Sequence, residues 1–439
     1  MAEIAPLTPL RYDLSKLANG LGDVVAPPYD VIDEAQKAAL LARHPHNIAR
    51  LILPNGEGDA KYANAAKMLE EWRAQNVFVR DTEPSFYRYD QTFLPPGGGK
   101  TGITRRGFLA LVKLHPFSDR VVLPHERTLS GPKEDRLKLF RATKTNLSPG
   151  FMLYRDPRGN LNEPLETGDV ITEFSSGDGV HHVLARVTAR DAIRAITEGV
   201  AKSTLLIADG HHRYETALRY RDEALTATSD ARAEPRYFMT FLANGDDPNL
   251  VVFPTHRHVH SLTSFSFDEL ISKASTTFVV KALPLNTNSD VATKELADAA
   301  KKGPSVCVLG KGGRAAILTL RADVDLAAHA QLGQKIEVLR KTDVAVLHSG
   351  ILEPLLGITP EMQASKTNIW YPQDARAAHA DLEGGKGQAL FLMNATPVGQ
   401  VRDVAEAGEV MPQKSTFFYP KVLTGLCIHT LDPSRVVAS

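Results

Sequence analysis

Thr204-Leu205-Leu206-Ile207-Ala208-Asp209-Gly210-His211-His212-Arg213-Tyr214-Glu215 holds three kinds of segment in one short run. Thr204 to Ala208 is apolar and suits a buried strand. Asp209-Gly210 is a turn signal, and Tyr214 to Tyr220 begins a helix. A strand therefore feeds a glycine turn that opens a helix. The first N–H groups of such a helix are unpaired and carry partial positive charge, which suits an anion. Gly210 allows a backbone path and a close ligand approach that a side chain would block. Arg213 is suited to gripping phosphate or carboxylate through parallel hydrogen bonds. His211 and His212 add donors that titrate near neutral pH. Asp209 would hold a histidine or coordinate Mg²⁺. A plainer reading makes Asp209 a helix cap and the histidines surface residues. The packing of two histidines, an arginine and an acid around one glycine favours an active site.

Upstream, 22–26 is short and apolar and reads as a strand. Pro27-Pro28 forces an extended or turning backbone. Asp33 then caps a helix running to about Arg43, with Glu34 favourable at its positive end. A second helix is expected over 59–76, with Ala63, Ala66, Leu69 and Trp72 on one face. From 85 to 187 the pattern is that of strands. Residues 86–93 and 106–112 flank Pro95-Pro96-Gly97-Gly98-Gly99-Lys100, a hairpin signature. The glycine run lacks the Lys-Ser/Thr and helix that a phosphate loop needs. A helix over 189–202 precedes the strand at 204–208. Beyond 236 come strands near 250–253, 306–309 and 315–320 and a helix near 266–274. The mixture predicts an α+β (mixed α/β) fold, divided at 1–235 and 236–439.

The chain has 439 residues, too many for one ordinary core. Lys plus Arg number 51 and Asp plus Glu 51, so a broad basic surface for nucleic acid is not expected. Cys307 and Cys427 lie in apolar, strand-like runs and read as buried free thiols. The N-terminus lacks a signal-peptide pattern, and no apolar run approaches the roughly 18 residues of a membrane span. The expectation is a cytoplasmic enzyme without membrane contact.

Ala208-Asp209-Gly210-His211-His212-Arg213 resembles the turn of the free serine kinases and related turns of the ParB and sulfiredoxin fold. The wider chain resembles the bacterial family known as domain of unknown function 1015. That likeness is carried by 26–32 (Ala-Pro-Pro-Tyr-Asp-Val-Ile), His44-Pro45-His46-Asn47, Pro124-His125-Glu126-Arg127-Thr128, Pro254-Thr255-His256-Arg257 and 411–416 (Met-Pro-Gln-Lys-Ser-Thr). The resemblance implies a ParB/sulfiredoxin-like catalytic core with insertions. It implies phosphoryl exchange between ATP or ADP, with Mg²⁺, and the hydroxyl of free serine, in either direction. Phosphoserine plus ADP would then give serine plus ATP. Gly210, His211, His212 and Arg213 match the kinases' phosphate-holding turn. Asp30 stands as candidate base, although the kinases place a Glu in a different local motif. His212 and Asp209 join it as catalytic candidates, and Asp209 and Glu126 as metal ligands.

Substrate contacts are expected from Asn47, His125, Glu126, His256, Arg257, Lys414 and Ser415. Asn47 reads equally as a helix-ending turn, and Arg136 and Lys144 as a basic wall or as solvated charges. His256, His258 and His260 alternate, so a strand would bring them to one face, a spacing that also suits zinc. Lys414 and Ser415 precede aromatics in a run that otherwise reads as an amphipathic strand. The partners implied are serine or phosphoserine and a nucleotide, with a homodimer left open. The competing reading is a ParB-like nucleotide- or nucleic-acid-binding regulator without kinase activity. It would need a DNA-binding helical module and usually a basic face; no helix-turn-helix candidate is read here, and the balanced charge counts against it. A sulfiredoxin-type reductase would need a cysteine where this turn has histidine.

Overall fold

Phe86–Phe93 and Ile103–Lys113 pair antiparallel, with Phe93 opposite Ile103. In the computed structural model they form the middle of a nine-stranded mixed sheet. Residues 1–94, 101–126, 128, 130–226 and 229–438 are described. The glycine-rich hairpin tip at 95–100 and Arg127 lie outside them. Tyr237–Asn244 pairs antiparallel with Ile103–Lys113 and parallel with Gly150–Tyr154. Gly150–Tyr154 then pairs antiparallel with Leu205–Asp209, which runs parallel to Val122–Leu123.

Strand alternation gives this sheet two different faces. Phe108, Ala110, Val112, Met152, Phe238 and Leu242 pack with Ile196 and Val200 of helix Arg190–Ala201 and Tyr214 of helix His211–Ala224. The odd-numbered residues Tyr89, Gln91, Arg105, Phe151 and Phe241 belong to the other face. That face is crossed by the chain's last segment. Gln91 Nε2 donates to the Lys421 carbonyl at 3.0 Å and Arg105 Nη2 to the Pro420 carbonyl at 2.6 Å.

The chain forms two compact units. The first comprises Met1–Pro124, Thr128–Val251 and Pro420–Ser439; the second comprises His125–Arg127 and Val252–Tyr419. The division expected at 235 is therefore corrected. Tyr237–Asn244 is a central strand of the first sheet, and residues 420–438 belong to the same unit. The second unit holds an antiparallel six-stranded sheet. Cys307, Leu309, Ile317, Leu390 and Leu392 on that sheet pack against Ala292 and Leu296 of helix Ser289–Ala300.

Local expectations need three corrections. The run 22–26 is not a strand: Leu21–Asp23 is a 3-10 turn and Ala26 makes one isolated bridge, to Thr424. Helix Ala60–Ala74 buries Tyr62, Ala65, Leu69 and Trp72, leaving Ala63 exposed, because the large Tyr62 takes the inward stripe. Ser130–Thr143, inside the stretch read as strands, is a helix. Both cysteines are buried and free, and burial raises both thiol pKa values, Cys307 to about 12. No helix among the described residues is long and apolar enough to cross a membrane.

Candidate functional site

A bulge aims Asp209. Leu206 pairs with Leu153 and Ile207 with Met152, so regular pairing would set Asp209 against Gly150. The register shifts instead, and Asp209 opposes Phe151. One extra residue thus turns the carboxylate away from the helix-packed face that holds Ile207, onto the face of Phe151 and Arg105. Gly210 follows with φ +93°, a left-handed conformation, as N-cap of helix His211–Ala224. A Cβ at Gly210 would lie 3.0 Å from Arg213 Cζ. The glycine is needed both for its backbone angle and because the arginine folds back over it.

Arg213 is buried. Nη1 donates to the Pro149 carbonyl, and Nη2 to Asp209 Oδ2 at 3.2 Å. Lys421 Nζ lies 3.8 Å from the same carboxylate oxygen. The Arg105 guanidinium also feels the charge of Asp209. Among the described residues, three cations thus gather around one carboxylate, beside the positive end of a helix. His211 is buried and His212 half-buried in the first turn. Thr216 Oγ1 donates to the His212 carbonyl at 2.7 Å.

The Pro-Pro-Tyr-Asp segment comes to this turn. Tyr29–Val31 is a 3-10 turn that leaves Asp30 exposed. Burial raises the Tyr29 phenol's pKa and Asp30 adds to the rise, while Arg136 and Arg213 oppose it; Asp209 acts on the same group. The Arg136 guanidinium sits 4.1 Å from the Tyr29 ring centroid. Tyr29 therefore lies in the joint field of Asp30 and the 209–213 turn. Asn47, expected to touch substrate, has another task. It is fully buried, and Nδ2 donates to the carbonyls of Asp23 (2.8 Å) and Val25 (3.2 Å). Its Oδ1 accepts from the Ala49 N–H at 2.9 Å. The amide is used to hold the segment that leads into Pro27, because a buried turn must have its carbonyls paired.

The remaining candidates lie in the second unit and form a cluster of their own. His125 Nε2 and Thr416 Oγ1 are 2.9 Å apart, and Glu126 Oε1 accepts from the Lys414 N–H at 3.0 Å. Ser415 Oγ donates to the Pro412 carbonyl at 2.5 Å. Arg257 is fully buried; it donates to the Thr255 and Lys414 carbonyls and, through Nε at 3.1 Å, to His348 Nε2. His256 Nδ1 accepts from the Met393 N–H at 3.1 Å, and burial pushes its pKa down to about 4. His258 and His260 instead pack on Trp370, with ring centroids at 5.3 and 4.0 Å. Among the described residues no group of three or more His, Cys, Asp or Glu has metal-holding geometry. The alternating histidines serve backbone and aromatic contacts.

The profile of one family, described as protein of unknown function (DUF1015), matches residues 4–345. The chain belongs to the DUF1015 family. Among solved structures, this DUF1015 chain is similar to a conserved hypothetical protein from Pyrococcus furiosus (15% identity, 68% of this chain and 87% of that one, TM-score 0.34). It is similar to a free serine kinase in complex with AMP (13%, 68% and 84%, TM-score 0.35). A third is SbnI with C-terminal truncation from Staphylococcus aureus (10%, 72% and 85%, TM-score 0.35). Curated proteins gave no match.

Two cations beside Asp209 were not among the site candidates read from the sequence. Lys421 lies 208 positions beyond Arg213 in the chain and sits in an aromatic, strand-like run. Arg105 is one of two adjacent arginines on a strand, where nothing but strand parity distinguishes the buried one.

Proposed function

We propose that this chain is a nucleotide-dependent phosphotransferase acting on the hydroxyl of free serine, or running in reverse from phosphoserine and ADP. The observation that carries the reading is the excess of positive charge around Asp209 at a helix N-terminus, with the Asp30 turn brought beside it. Phosphoryl transfer asks a protein mainly for positioning and charge stabilisation, which such a cluster supplies. The Gly-His-His-Arg turn, which resembles that of the serine kinases, supports phosphate as the anion. It also supports a ParB/sulfiredoxin-like core for the first unit.

In this reading the N–H groups at the start of helix His211–Ala224 and the His212 imidazole hold phosphate oxygens. Arg213 shapes the turn and holds Asp209 in place. Asp30, exposed and close to Tyr29, accepts the proton of the serine hydroxyl as its oxygen attacks phosphorus and the bond to the nucleotide breaks. The Asp209 carboxylate would be the residue to hold Mg²⁺, whose charge would help to neutralise the phosphoryl group.

The test is incubation with Mg²⁺ and either ATP plus serine or ADP plus phosphoserine, followed by phosphorus NMR. Turnover in at least one direction is expected. Asp30→Asn should lower kcat at least ~100-fold while the circular dichroism spectrum stays the same. Nucleotide binding with no transfer either way would overturn the enzyme reading and leave a nucleotide-binding regulator.

A further inference from the structure

Arg105 is among the largest fully buried side chains of the first unit. A guanidinium has five N–H donors. The two on Nη2 are used, by Gln91 Oε1, directly across the hairpin, and by the Pro420 carbonyl. Nε and Nη1 are buried and have no hydrogen-bond partner. Three donors on a cation are therefore withdrawn from water without replacement, an arrangement that burdens the fold. Burial accordingly pushes the guanidinium pKa down to about 9, and the opposing pull of Tyr89 and Asp209 does not restore it.

The group is held in place by rings. Its Cζ lies 4.7 Å from the Phe151 ring centroid and 5.3 Å from that of Phe241. Phe241 reaches this position because Gly107 has no side chain; a Cβ there would come within 2.3 Å of the ring. The rings fix the guanidinium's place without satisfying its donors. Phe151 is the residue that the bulge sets opposite Asp209. Pro420, which takes one Nη2 proton, precedes Lys421, the cation beside Asp209. The unpaired guanidinium thus lies beneath the turn that opens helix His211–Ala224.

We propose that Arg105 is the buried anion receptor of this site, donating through Nε and Nη1 to a compact oxyanion: a phosphoryl group or the carboxylate of an amino-acid substrate. The ligand's identity rests on the phosphotransferase reading; its negative charge rests on the unpaired donors alone. Arg105 binds and positions, and it moves no proton.

The experiment compares the full chain with Arg105→Met and Arg105→Lys by calorimetric titration and by melting without ligand. The probes are inorganic phosphate, phosphoserine, serine and ADP. Arg105→Met should weaken phosphate or phosphoserine binding at least 30-fold while the ligand-free protein melts at the same temperature or higher. Arg105→Lys should recover part of the affinity. Loss confined to phosphate-bearing probes assigns a phosphoryl group; loss that extends to serine assigns the carboxylate. Affinity within threefold of the parent for every probe overturns the inference. So does collapse of the ligand-free fold in Arg105→Met, which would make the guanidinium a packing element. The two readings separate cleanly. Phosphate binding that needs Arg105, without transfer in either direction, removes the phosphotransferase and keeps the receptor. Transfer with kcat and KM untouched in Arg105→Met does the opposite.

Discussion

Gly210 concentrates the local demands of the site in one residue. Its φ of +93° is costly for any side-chain-bearing residue, and a Cβ would press on Arg213 Cζ and Nε, both at 3.0 Å. Gly210→Ala should therefore cost about 1–2 kcal/mol from backbone strain, and it should also displace the arginine that holds Asp209. Urea unfolding and phosphate titration of one protein preparation measure both effects. Unchanged stability with unchanged affinity would show that the turn relaxes freely and that the left-handed residue is not needed. The residue types of this turn were legible in sequence because each is unusual for a strand-to-helix junction. How Arg213 is used was not. Its partner is the Pro149 carbonyl, 64 positions earlier, and no local pattern marks a backbone acceptor that distant. An arginine in a glycine turn reads as an open grip on a ligand, whereas here its two terminal nitrogens are engaged within the protein.

Among elements, those with caps and apolar spacing were the readable ones. Helix Glu34–Arg43 has a capping box. Asp33 accepts from the Gln36 N–H at 2.8 Å, and Gln36 Oε1 accepts from the Asp33 N–H at 3.0 Å. Asp33→Ala should cost about 1 kcal/mol. Because this helix follows the Asp30 turn directly, Asp33→Ala should also raise KM for whichever substrate that turn meets. A stability loss below a few tenths of a kcal/mol would mean that tertiary packing fixes the helix start. Ser130–Thr143 was unreadable for the opposite reason. Its charges do not mark a solvated loop; they bond to neighbouring helices, Asp135 with Lys61 (2.8 Å) and Tyr62 (2.7 Å), and Arg141 with Glu223 (2.7 Å). Leu137, Leu139 and Phe140 are the buried stripe between them. The bulge before Asp209 was equally hidden, since strand pairing is not written in either strand alone.

At the scale of the whole chain, the first unit is assembled from three stretches, so its limits follow sheet pairing rather than sequence order. Long-range closure of that kind also buries polar groups, and two histidines make this measurable. His182 lies between Tyr89 Oη and Ser176 Oγ, each 2.7 Å from a ring nitrogen, and burial pushes its pKa down to about 4. His256 in the second unit is pushed down to about 4 as well, by burial and then by Arg257. An unfolded histidine titrates near 6.5. Above that pH both states are neutral and the stability contribution is complete. As pH falls from about 6.5 toward 4, the unfolded chain takes up protons that the folded chain refuses, so stability is lost. Between pH 7.5 and 5.0 each histidine should remove on the order of 2 kcal/mol. His182→Gln keeps a polar side chain at the site but cannot titrate. Urea unfolding of the parent and of His182→Gln at both pH values isolates the share of His182, because all other titrating groups cancel in the difference. A pH dependence about 2 kcal/mol shallower in the variant is expected. An equal pH dependence in both proteins would mean that His182 protonates as readily folded as unfolded, and that water reaches the far face of the sheet.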